Sequence, residues 1–259
     1  MLQLTDTHLS SSRGGTLLGM DTDHSLQAVI DLARRERGDV DLLLGTGDLS
    51  DSGTREAYER LEAYFNQFGC PHYWLPGNHD CRAGMEAAVS SPHRLCGELR
   101  TPHWQIVLLD SQIPGEVGGR LGTAELNRLD HALAEATDND LASLVCLHHH
   151  PVAVGSDWID EQMISDAGDF WRVIERHESV RAVLWGHVHQ ECDRDRNGIR
   201  MLASPSTCVQ FAPNNASFKA DNLPPGYRWL DLHPDGRIET GVSRVLDVDF
   251  DVDLNSGGY

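Results

Sequence analysis

Histidine, aspartate and asparagine side chains occur in five short clusters, and these residue types suit metal binding. Carboxylate, imidazole and amide oxygen are ligands of borderline to hard character that suit zinc, iron or manganese. Seven such ligands exceed one tetrahedral site but suit two metal sites that share a bridging carboxylate. The clusters are Asp6-Thr7-His8, Gly47-Asp48, Gly77-Asn78-His79-Asp80, His148-His149-His150-Pro151 and Gly186-His187-Val188-His189.

Each cluster alone is a weak or moderate signal, because each also has a structural explanation. An aspartate after a glycine commonly makes a turn, as Asp48 could. Asn78 could cap a turn, and a histidine triplet could lie on the surface. His187 and His189 are two residues apart, which puts both imidazoles on one side of an extended chain. The order of all five clusters, each behind a predicted strand, makes metal binding the favoured interpretation.

The predicted strands explain how the clusters could meet. Ligands of α/β sheets bind beyond the carboxyl ends of the strands. If the strands lie in one sheet and point the same way, all five clusters converge on one rim. Short apolar runs predict strands at residues 2–5, 40–44, 72–75, 106–109, 142–147 and 180–185,.

Helical periodicity alternates with these strands and predicts an α/β sandwich with inner strands of mixed direction and outer helices. The predicted helices cover residues 26–33, 57–68, 124–136 and 170–176,. After residue 190 the pattern changes to short strands with hairpin turns at Asn197-Gly198 and Asp235-Gly236,. We expect one domain over residues 1–259 with a β-rich C-terminal part. Residues 247–254 alternate acidic and apolar side chains, which predicts either a strand with one solvated face or a loosely held acidic tail over residues 247–259.

Composition restricts the partners of the chain. Its 259 residues carry a formal net charge of −19, and such a surface repels nucleic-acid backbones and anionic membranes,. We therefore expect no polymeric nucleic-acid partner and no membrane partner. A small anionic substrate remains allowed, since bound cations would set the local field.

The cysteines and the apolar runs indicate a cytoplasmic protein. None of the six cysteines forms a C-x-x-C pair, and no secretory signal precedes the first apolar run,. No run of about 18 apolar residues, the length of a membrane span, occurs in the chain. We expect reduced thiols and a monomer or homodimer.

The five clusters, in this order, resemble the calcineurin-like metallophosphoesterase family over about residues 1–190. Further stretches resemble the bacterial class III 3′,5′-cyclic-AMP phosphodiesterases. They cover residues 75–80 (LPGNHD), 108–111 (LLDS), 147–151 (LHHHP), 204–211 (SPSTCVQF) and 225–227 (PGY). The resemblance implies a four-layer α/β/β/α sandwich with two mixed sheets and flanking helices. Relatives also carry an N-terminal extension, so a longer N-terminus is expected.

The resemblance implies a ligand role for seven residues and a phosphate contact for His79. The first metal is assigned to Asp6, His8 and His189, the second to Asn78, His149 and His187, and Asp48 bridges both. His149 is chosen because relatives read His-His-Pro with the first histidine as ligand, while His148 and His150 remain candidates. The implied catalytic residues are Asp48 and His79, and the implied substrate contacts are His8, Asp48, Asn78, His79 and His189.

The implied reaction is hydrolysis of 3′,5′-cyclic AMP to 5′-AMP by a hydroxide that bridges two divalent ions, which would be iron, manganese or zinc. His79 would donate a proton or hydrogen bond to the leaving side. The alternatives are a phosphodiesterase for glycerophosphodiesters or 2′,3′-cyclic nucleotides, a phosphomonoesterase, and a metal-binding scaffold without catalysis. Trp158, Trp185 and Phe211 could stack on a purine, but core packing is the favoured role of each.

Overall fold

The structure is a computed structural model that describes residues 1–258. Tyr259, which ends the predicted acidic tail, lies outside the described residues. In chain order the strands are β1 (Leu2–Leu4), β2 (Thr16–Leu17), β3 (Met20–Asp21), β4 (Leu43–Thr46), β5 (His72–Leu75), β6 (Glu98–Arg100), β7 (Trp104–Leu108), β8 (Ala142–Leu147), β9 (Val180–Trp185), β10 (Cys192–Arg196), β11 (Ile199–Ala203), β12 (Gln210–Phe211), β13 (Ala220–Asp221), β14 (Gly226–Leu232) and β15 (Ile238–Arg244). The helices are α1 (Thr22–Glu36), α2 (Arg55–Phe65), α3 (Arg82–Ala88), α4 (Gly122–Asp138), α5 (Asp157–Asp160) and α6 (Ala167–Ile174), and two 3-10 turns cover Asn66–Phe68 and Pro92–Leu95.

Two mixed sheets form the centre of the described chain. The first sheet has the order β15-β14-β1-β4-β5, in which β1, β4 and β5 run parallel and β14 runs antiparallel to both of its neighbours, β1 and β15. The second sheet has the order β10-β11-β9-β8-β7-β6, with parallel β7, β8, β9 and β11 and antiparallel edge strands. The predicted α/β class with mixed sheets and flanking helices is confirmed.

Three apolar clusters lie between the layers. Leu44 of the first sheet and Leu184 of the second share one cluster, so the sheets face each other. Leu61 of α2 packs in a second cluster with Leu43 of the first sheet. Leu133 of α4 and residues of α6 pack with the outer face of the second sheet. The clusters give the order helix, sheet, sheet, helix.

The first helix illustrates why the periodicity was informative. Asp21 lies at its N-cap and accepts a hydrogen bond of 2.9 Å from the backbone amide of His24, which satisfies one of the free amides of the first turn,. Leu26, Val29 and Ile30 are fully buried on one face. The predicted apolar face of residues 26–33 is confirmed.

The strands that precede the five clusters are distributed over two mixed sheets, as the family resemblance implied, and not over the single sheet that the strand pattern alone suggested. The clusters that contain Asp6, Asp48 and Asn78 follow strands of the first sheet. Those that contain His148 and His187 follow strands of the second. The condition of a single sheet is therefore wrong. Convergence survives because the two sheets face each other with their parallel strands ending at a common rim.

The C-terminal segment beyond β15 contains no strand within the described residues. Phe250 and Val252 pack beside the small β2–β3 hairpin, and the amide of Asp253 donates a 2.7 Å hydrogen bond to the carbonyl of Leu18. The apolar side chains of the alternating pattern thus contact the body of the protein. Among the described helices, none combines the length and the apolar character needed to cross a membrane.

Candidate metal centre

The loops that follow β1, β4, β5, β8 and β9 bring potential metal ligands together. Ligand atoms within each group lie within 4.8 Å of one another. Asp48 and His148 share a group with Asp6, which links the loops of the two sheets. The four groups are Asp6, His8 and His189; Asp6, Asp48 and His148; His148, His149 and His187; and His8, Asp51 and His79.

Backbone conformation at the rim is unusual. Five predicted ligands have positive φ angles in the left-handed region, which costs most non-glycine residues about 1–2 kcal/mol each. Asp, Asn and His tolerate this region better than other side chains. Backbone hydrogen bonds hold the turns, for example from Asp6 N to the Gly47 carbonyl at 3.0 Å. The five φ angles are 54° at Asp6, 44° at His8, 49° at Asp48, 65° at His187 and 48° at His189.

Two glycines lie where any side chain would enter the centre. A Cβ atom at Gly77 would lie 2.2 Å from Asp48 Oδ1 and 2.7 Å from His148 Nε2. A Cβ atom at Gly186 would lie 2.7 Å from Asp6 Oδ2. The glycines of the sequence motifs therefore make room for the ligands.

The first ligand group joins both sheets. His189 Nε2 lies 3.4 Å from Asp6 Oδ1 and 3.4 Å from His8 Nε2. The Nδ1 atom of His189 donates a hydrogen bond of 2.7 Å to the carbonyl of Val209, which assigns the lone pair to Nε2,. The carboxylate of Asp6 also accepts from the amide of His187 at 3.0 Å.

The second ligand group contains His148. Its Nε2 lies 3.2 Å from Asp48 Oδ2 and 3.3 Å from Asn78 Oδ1. Its Nδ1 donates to the carbonyl of Thr46 at 2.9 Å, which leaves the lone pair on Nε2, as a metal ligand requires,. The geometry therefore brings His148 to the position next to Asp48 and Asn78.

The other two histidines of the triplet have different neighbours. His149 Nδ1 lies 2.8 Å from Ser111 Oγ, and the His149 ring meets the edge of His148 with 4.9 Å between centroids. His150 Nε2 lies 3.2 Å from the carboxylate of Asp160. His149 remains close to the centre, since it shares a ligand group with His148 and His187. The ligand role of His149 stays a prediction.

Burial and charge adjust the protonation of these groups. Burial opposes ionisation of Asp48, but the His148 imidazole outweighs it and holds the pKa of the carboxyl well below its usual range. Burial disfavours the charged form of His148, but Asp48 dominates and raises its pKa to about 9, so a cation bound at Nε2 would displace a proton from this ring,. Burial lowers the pKa of His149 to about 3, and that of His187 also falls well below its usual value. The last two rings are therefore neutral and have a lone pair for a cation.

Buried ring nitrogens test whether the residues fit metal ions. Within residues 1–258, Nε2 of His149 and Nε2 of His187 are buried and have no hydrogen-bond partner. Such orphaned groups are costly and are commonly satisfied by an unseen ion or water. Carboxylates, an amide oxygen and imidazoles are also the right donors for borderline divalent cations. The residues fit a pair of such ions.

His79 and Asp51 form the outer side of the centre. The His79 amide donates to Asp48 Oδ1 at 2.9 Å, and its Nδ1 contacts the Asp51 carbonyl at 2.9 Å. Burial lowers the pKa of His79, but Asp48 and Asp51 outweigh it and raise the pKa overall. Asp51 was not predicted as a site residue, because its only signal in the sequence is its position three residues after Asp48.

Asp80 braces the loops. Its carboxylate accepts hydrogen bonds from the amides of Gly77 at 2.9 Å, Leu49 at 3.1 Å and Ser50 at 3.0 Å. The hydroxyl of Tyr58 donates to it at 2.9 Å. Asp80 therefore joins the loop after β4 to the loop after β5.

The three candidate purine-stacking residues have packing roles. Trp185 is fully buried in the core. Phe211 stacks flat on the His189 ring, with centroids 4.0 Å apart, and Trp158 meets Phe211 edge-on at 5.2 Å. Phe211 thus supports a predicted metal ligand.

The fold and the ligand cluster define a metal-dependent phosphoesterase. Residues 1–191 match the family model for calcineurin-like phosphoesterases, and the chain belongs to this family. The family predicted from the five clusters is confirmed.

Curated relatives extend the similarity over the whole chain. The chain is 46% identical over 259 residues to the 3′,5′-cyclic adenosine monophosphate phosphodiesterase CpdA of Pseudomonas aeruginosa, with 100% of this chain and 94% of the relative covered. It is 41% identical over 265 residues to the CpdA protein of Escherichia coli strain K12, again with 100% and 94% coverage. A dimetal phosphatase from Danio rerio has a similar fold, with a TM-score of 0.66, 15% identity and 98% of each chain covered.

Proposed function

We propose that this protein hydrolyses 3′,5′-cyclic AMP to 5′-AMP at a dinuclear metal centre. The observation that carries the proposal is the position of Asp48, whose carboxylate lies 3.2 Å from His148 Nε2 and 3.9 Å from His8 Nε2. One carboxylate between two ligand groups is the arrangement that a bridging ligand needs. The printed names of the CpdA relatives from two bacteria support cyclic AMP as the substrate.

The proposed ligands divide between two ions. Asp6, His8 and His189 hold the first ion, Asn78, His148 and His187 hold the second, and Asp48 is shared. His148 is preferred over His149 because its Nε2 lies 3.2 Å from Asp48 Oδ2 and 3.3 Å from Asn78 Oδ1. Iron, manganese and zinc are the candidate ions, since nitrogen and oxygen ligands of this kind suit all three.

When bound, the two ions supply hydroxide as the nucleophile near neutral pH and offset the negative charge of the phosphoryl oxygens. His79 donates a proton or a hydrogen bond to the leaving 3′ oxygen, and the neighbouring Asp48 and Asp51 raise its pKa, which favours the protonated donor. General acid help of this kind contributes roughly 10²–10⁴-fold. The carbonyl of Asp51 fixes the orientation of the His79 ring.

A substrate panel combined with elemental analysis tests the proposal. We expect two equivalents of divalent metal per chain and a higher kcat/KM for 3′,5′-cyclic AMP than for 2′,3′-cyclic AMP, glycerophosphocholine or 5′-AMP. Preference for another substrate would replace cyclic AMP but keep the dinuclear hydrolase. Bound metal without turnover of any phosphoester would favour the scaffold alternative. The cytoplasmic location and the monomeric or homodimeric state stay predictions.

A further inference from the structure

Four buried polar side chains interrupt the apolar layer between the two sheets, directly beneath the metal centre. Elsewhere this layer contains mostly apolar residues such as Leu44 and Leu184. A buried polar group costs folding free energy unless it is hydrogen-bonded. A polar cluster within an apolar layer therefore requires an explanation. The four residues are Gln3, Thr46, Ser204 and Arg228, each no more than 1% exposed.

The four side chains form one hydrogen-bonded chain. Arg228 Nε donates to Ser204 Oγ at 3.2 Å, and Ser204 Oγ donates to Gln3 Oε1. Gln3 Nε2 then donates to Thr46 Oγ1 at 2.6 Å and to the carbonyl of Trp185 at 3.2 Å. This series of hydrogen bonds therefore crosses from the first sheet to the second and back.

Arg228 gives this chain its direction. A guanidinium has donors and no acceptor, so the Ser204 hydroxyl must accept from it and can donate only onward. The Gln3 amide must then offer its oxygen to Ser204 and its two N–H groups to Thr46 and Trp185. Arg228 itself is held by the carbonyls of Cys192 at 3.1 Å and Ala203 at 2.8 Å.

The residues joined by Gln3 each precede a proposed ligand by two or three positions. Gln3 itself lies on β1, three residues before Asp6. Thr46 ends β4, two residues before Asp48. Trp185 ends β9 of the second sheet, two residues before His187. A single amide thus ties together three strand ends that lead into the centre.

Thr46 extends the connection to a fourth loop. Its backbone carbonyl accepts the hydrogen bond of His148 Nδ1 at 2.9 Å. A change in the position of the Thr46 segment would therefore move a ring of the second sheet as well as the loop of Asp48 in the first. The ligands of both ions depend on the same small set of contacts.

We propose that Gln3 is a positioning residue that sets the alignment of the two sheets at this rim and thereby the spacing of the two metal ions. The inference rests on the proposed dinuclear centre. Paired ions act together at separations of about 3.5–4 Å, and a misplacement of about 1 Å can cost 10²-fold in rate. A glutamine that served only the stability of the core would leave this spacing unchanged.

The matched variants Gln3→Met and Gln105→Met test the role. Methionine keeps the length of the side chain and removes its hydrogen bonds. Gln105 is also fully buried in a central strand, but its amide bonds to Ala132 at 3.0 Å and Glu98 at 3.3 Å, away from the ligand loops. Each protein is loaded with Mn²⁺, and the exchange-coupled spin signal of the two Mn²⁺ ions is recorded by electron paramagnetic resonance. The number of Mn²⁺ ions bound per chain is measured on the same samples.

We expect Gln3→Met to alter or lose the coupled signal, to bind the second Mn²⁺ more weakly and to lower kcat by about 10- to 100-fold. Gln105→Met should lose comparable thermal stability while its spin signal and kcat stay those of the unchanged protein. Thr46→Val removes only the hydroxyl that accepts from Gln3, and we expect a smaller change of the signal in the same direction. This variant carries the test if Gln3→Met does not fold.

An unchanged spin coupling in folded Gln3→Met, or in Thr46→Val when the first variant fails to fold, would overturn the positioning role. Equal changes in the Gln3 and Gln105 variants would also overturn it. Failure of the proposed function gives a different result. In that case the unchanged protein would show no coupled Mn²⁺ signal before any substitution, or it would show the coupled signal but would not turn over cyclic AMP.

Discussion

The two sheets contribute different chemistry to the same rim. The first sheet supplies every carboxylate and amide of the proposed ligand set, namely Asp6, Asp48 and Asn78, in addition to His8. The second sheet supplies only imidazoles. The first set carries the negative charge that attracts cations, and the second set supplies imidazole nitrogens. Neither sheet alone contains all the proposed ligands of the two metal ions. The centre therefore depends on how the sheets face each other.

The two halves are also braced differently. Loops of the first sheet are held through a carboxylate, since Asp80 accepts from the amides of Leu49, Ser50 and Gly77. Rings of the second sheet are held through their own N–H groups, as when His148 bonds to Thr46. A change in the first half should therefore remove charge or loop order, whereas a change in the second half should remove one lone pair.

Replacing Asp48 by alanine should give the largest effect, because this carboxylate lies between both ligand groups. We expect kcat to fall by about 10³-fold or more and both metal ions to bind weakly, measured by steady-state kinetics and elemental analysis. Asp249→Ala, a change on the exposed C-terminal segment, serves as the control. Normal turnover with two bound ions in Asp48→Ala would refute the shared role of this residue.

His79→Ala should separate catalysis from metal binding within the first half. We expect kcat to fall by roughly 10²–10⁴-fold, the contribution of a general acid, while both ions remain bound. A substrate with a good leaving group, such as a nitrophenyl phosphodiester, should recover part of the rate because it needs less protonation. Equal losses on both substrates would argue against proton donation by His79.

The pair His148→Ala and His149→Ala sharpens the assignment in the second half. Loss of His148 should release one of the two ions and lower kcat by about 10²-fold, since a ligand and its charge stabilisation are removed. Loss of His149 should have a weaker effect, about 10-fold, with two ions retained. A greater loss of metal in His149→Ala than in His148→Ala would favour His149, the ligand that the family resemblance implied.

Tyr58→Phe should give the smallest effect and tests the bracing of the first half. The Tyr58 hydroxyl donates to Asp80 at 2.9 Å and accepts from the Cys81 amide at 2.8 Å. We expect unfolding free energy to fall by about 1–2 kcal/mol, measured by urea denaturation, with kcat reduced less than threefold. Tyr73→Phe, at a partly buried position of β5, provides the comparison. A loss of metal ions in Tyr58→Phe would mean that the brace also sets ligand geometry.

Much of this centre was predictable because ligand chemistry leaves a local record in sequence. Asp6, Asp48 and His187 each follow a short apolar run, and the strands were recognised to within a few residues. The family resemblance then followed from the order of the clusters. The two sheets followed from the resemblance, but the assignment of each strand to a sheet did not follow from the apolar runs, because these do not say which strands pair.

The register of the histidine triplet shows another limit. The side chains of adjacent residues at the end of a strand point in different directions. His148 and His149 therefore have different neighbours although both are histidines. The hydrogen bond that fixes the His148 ring is accepted by the backbone carbonyl of Thr46, which any residue at position 46 would supply. Gln3 gave no signal either, because a glutamine in a short strand is ordinary until its partners across the sheets are known.

The left-handed backbone at Asp6, His8, Asp48, His187 and His189 has a consequence for redesign of ion preference. Few non-glycine side chains tolerate this geometry well, and asparagine, aspartate and histidine tolerate it better than the others. Exchanges among these three would alter the hardness of a donor while the loop keeps its path. Glutamate, threonine or cysteine would add conformational strain to any change in affinity, so libraries aimed at new cations should be confined to that short alphabet.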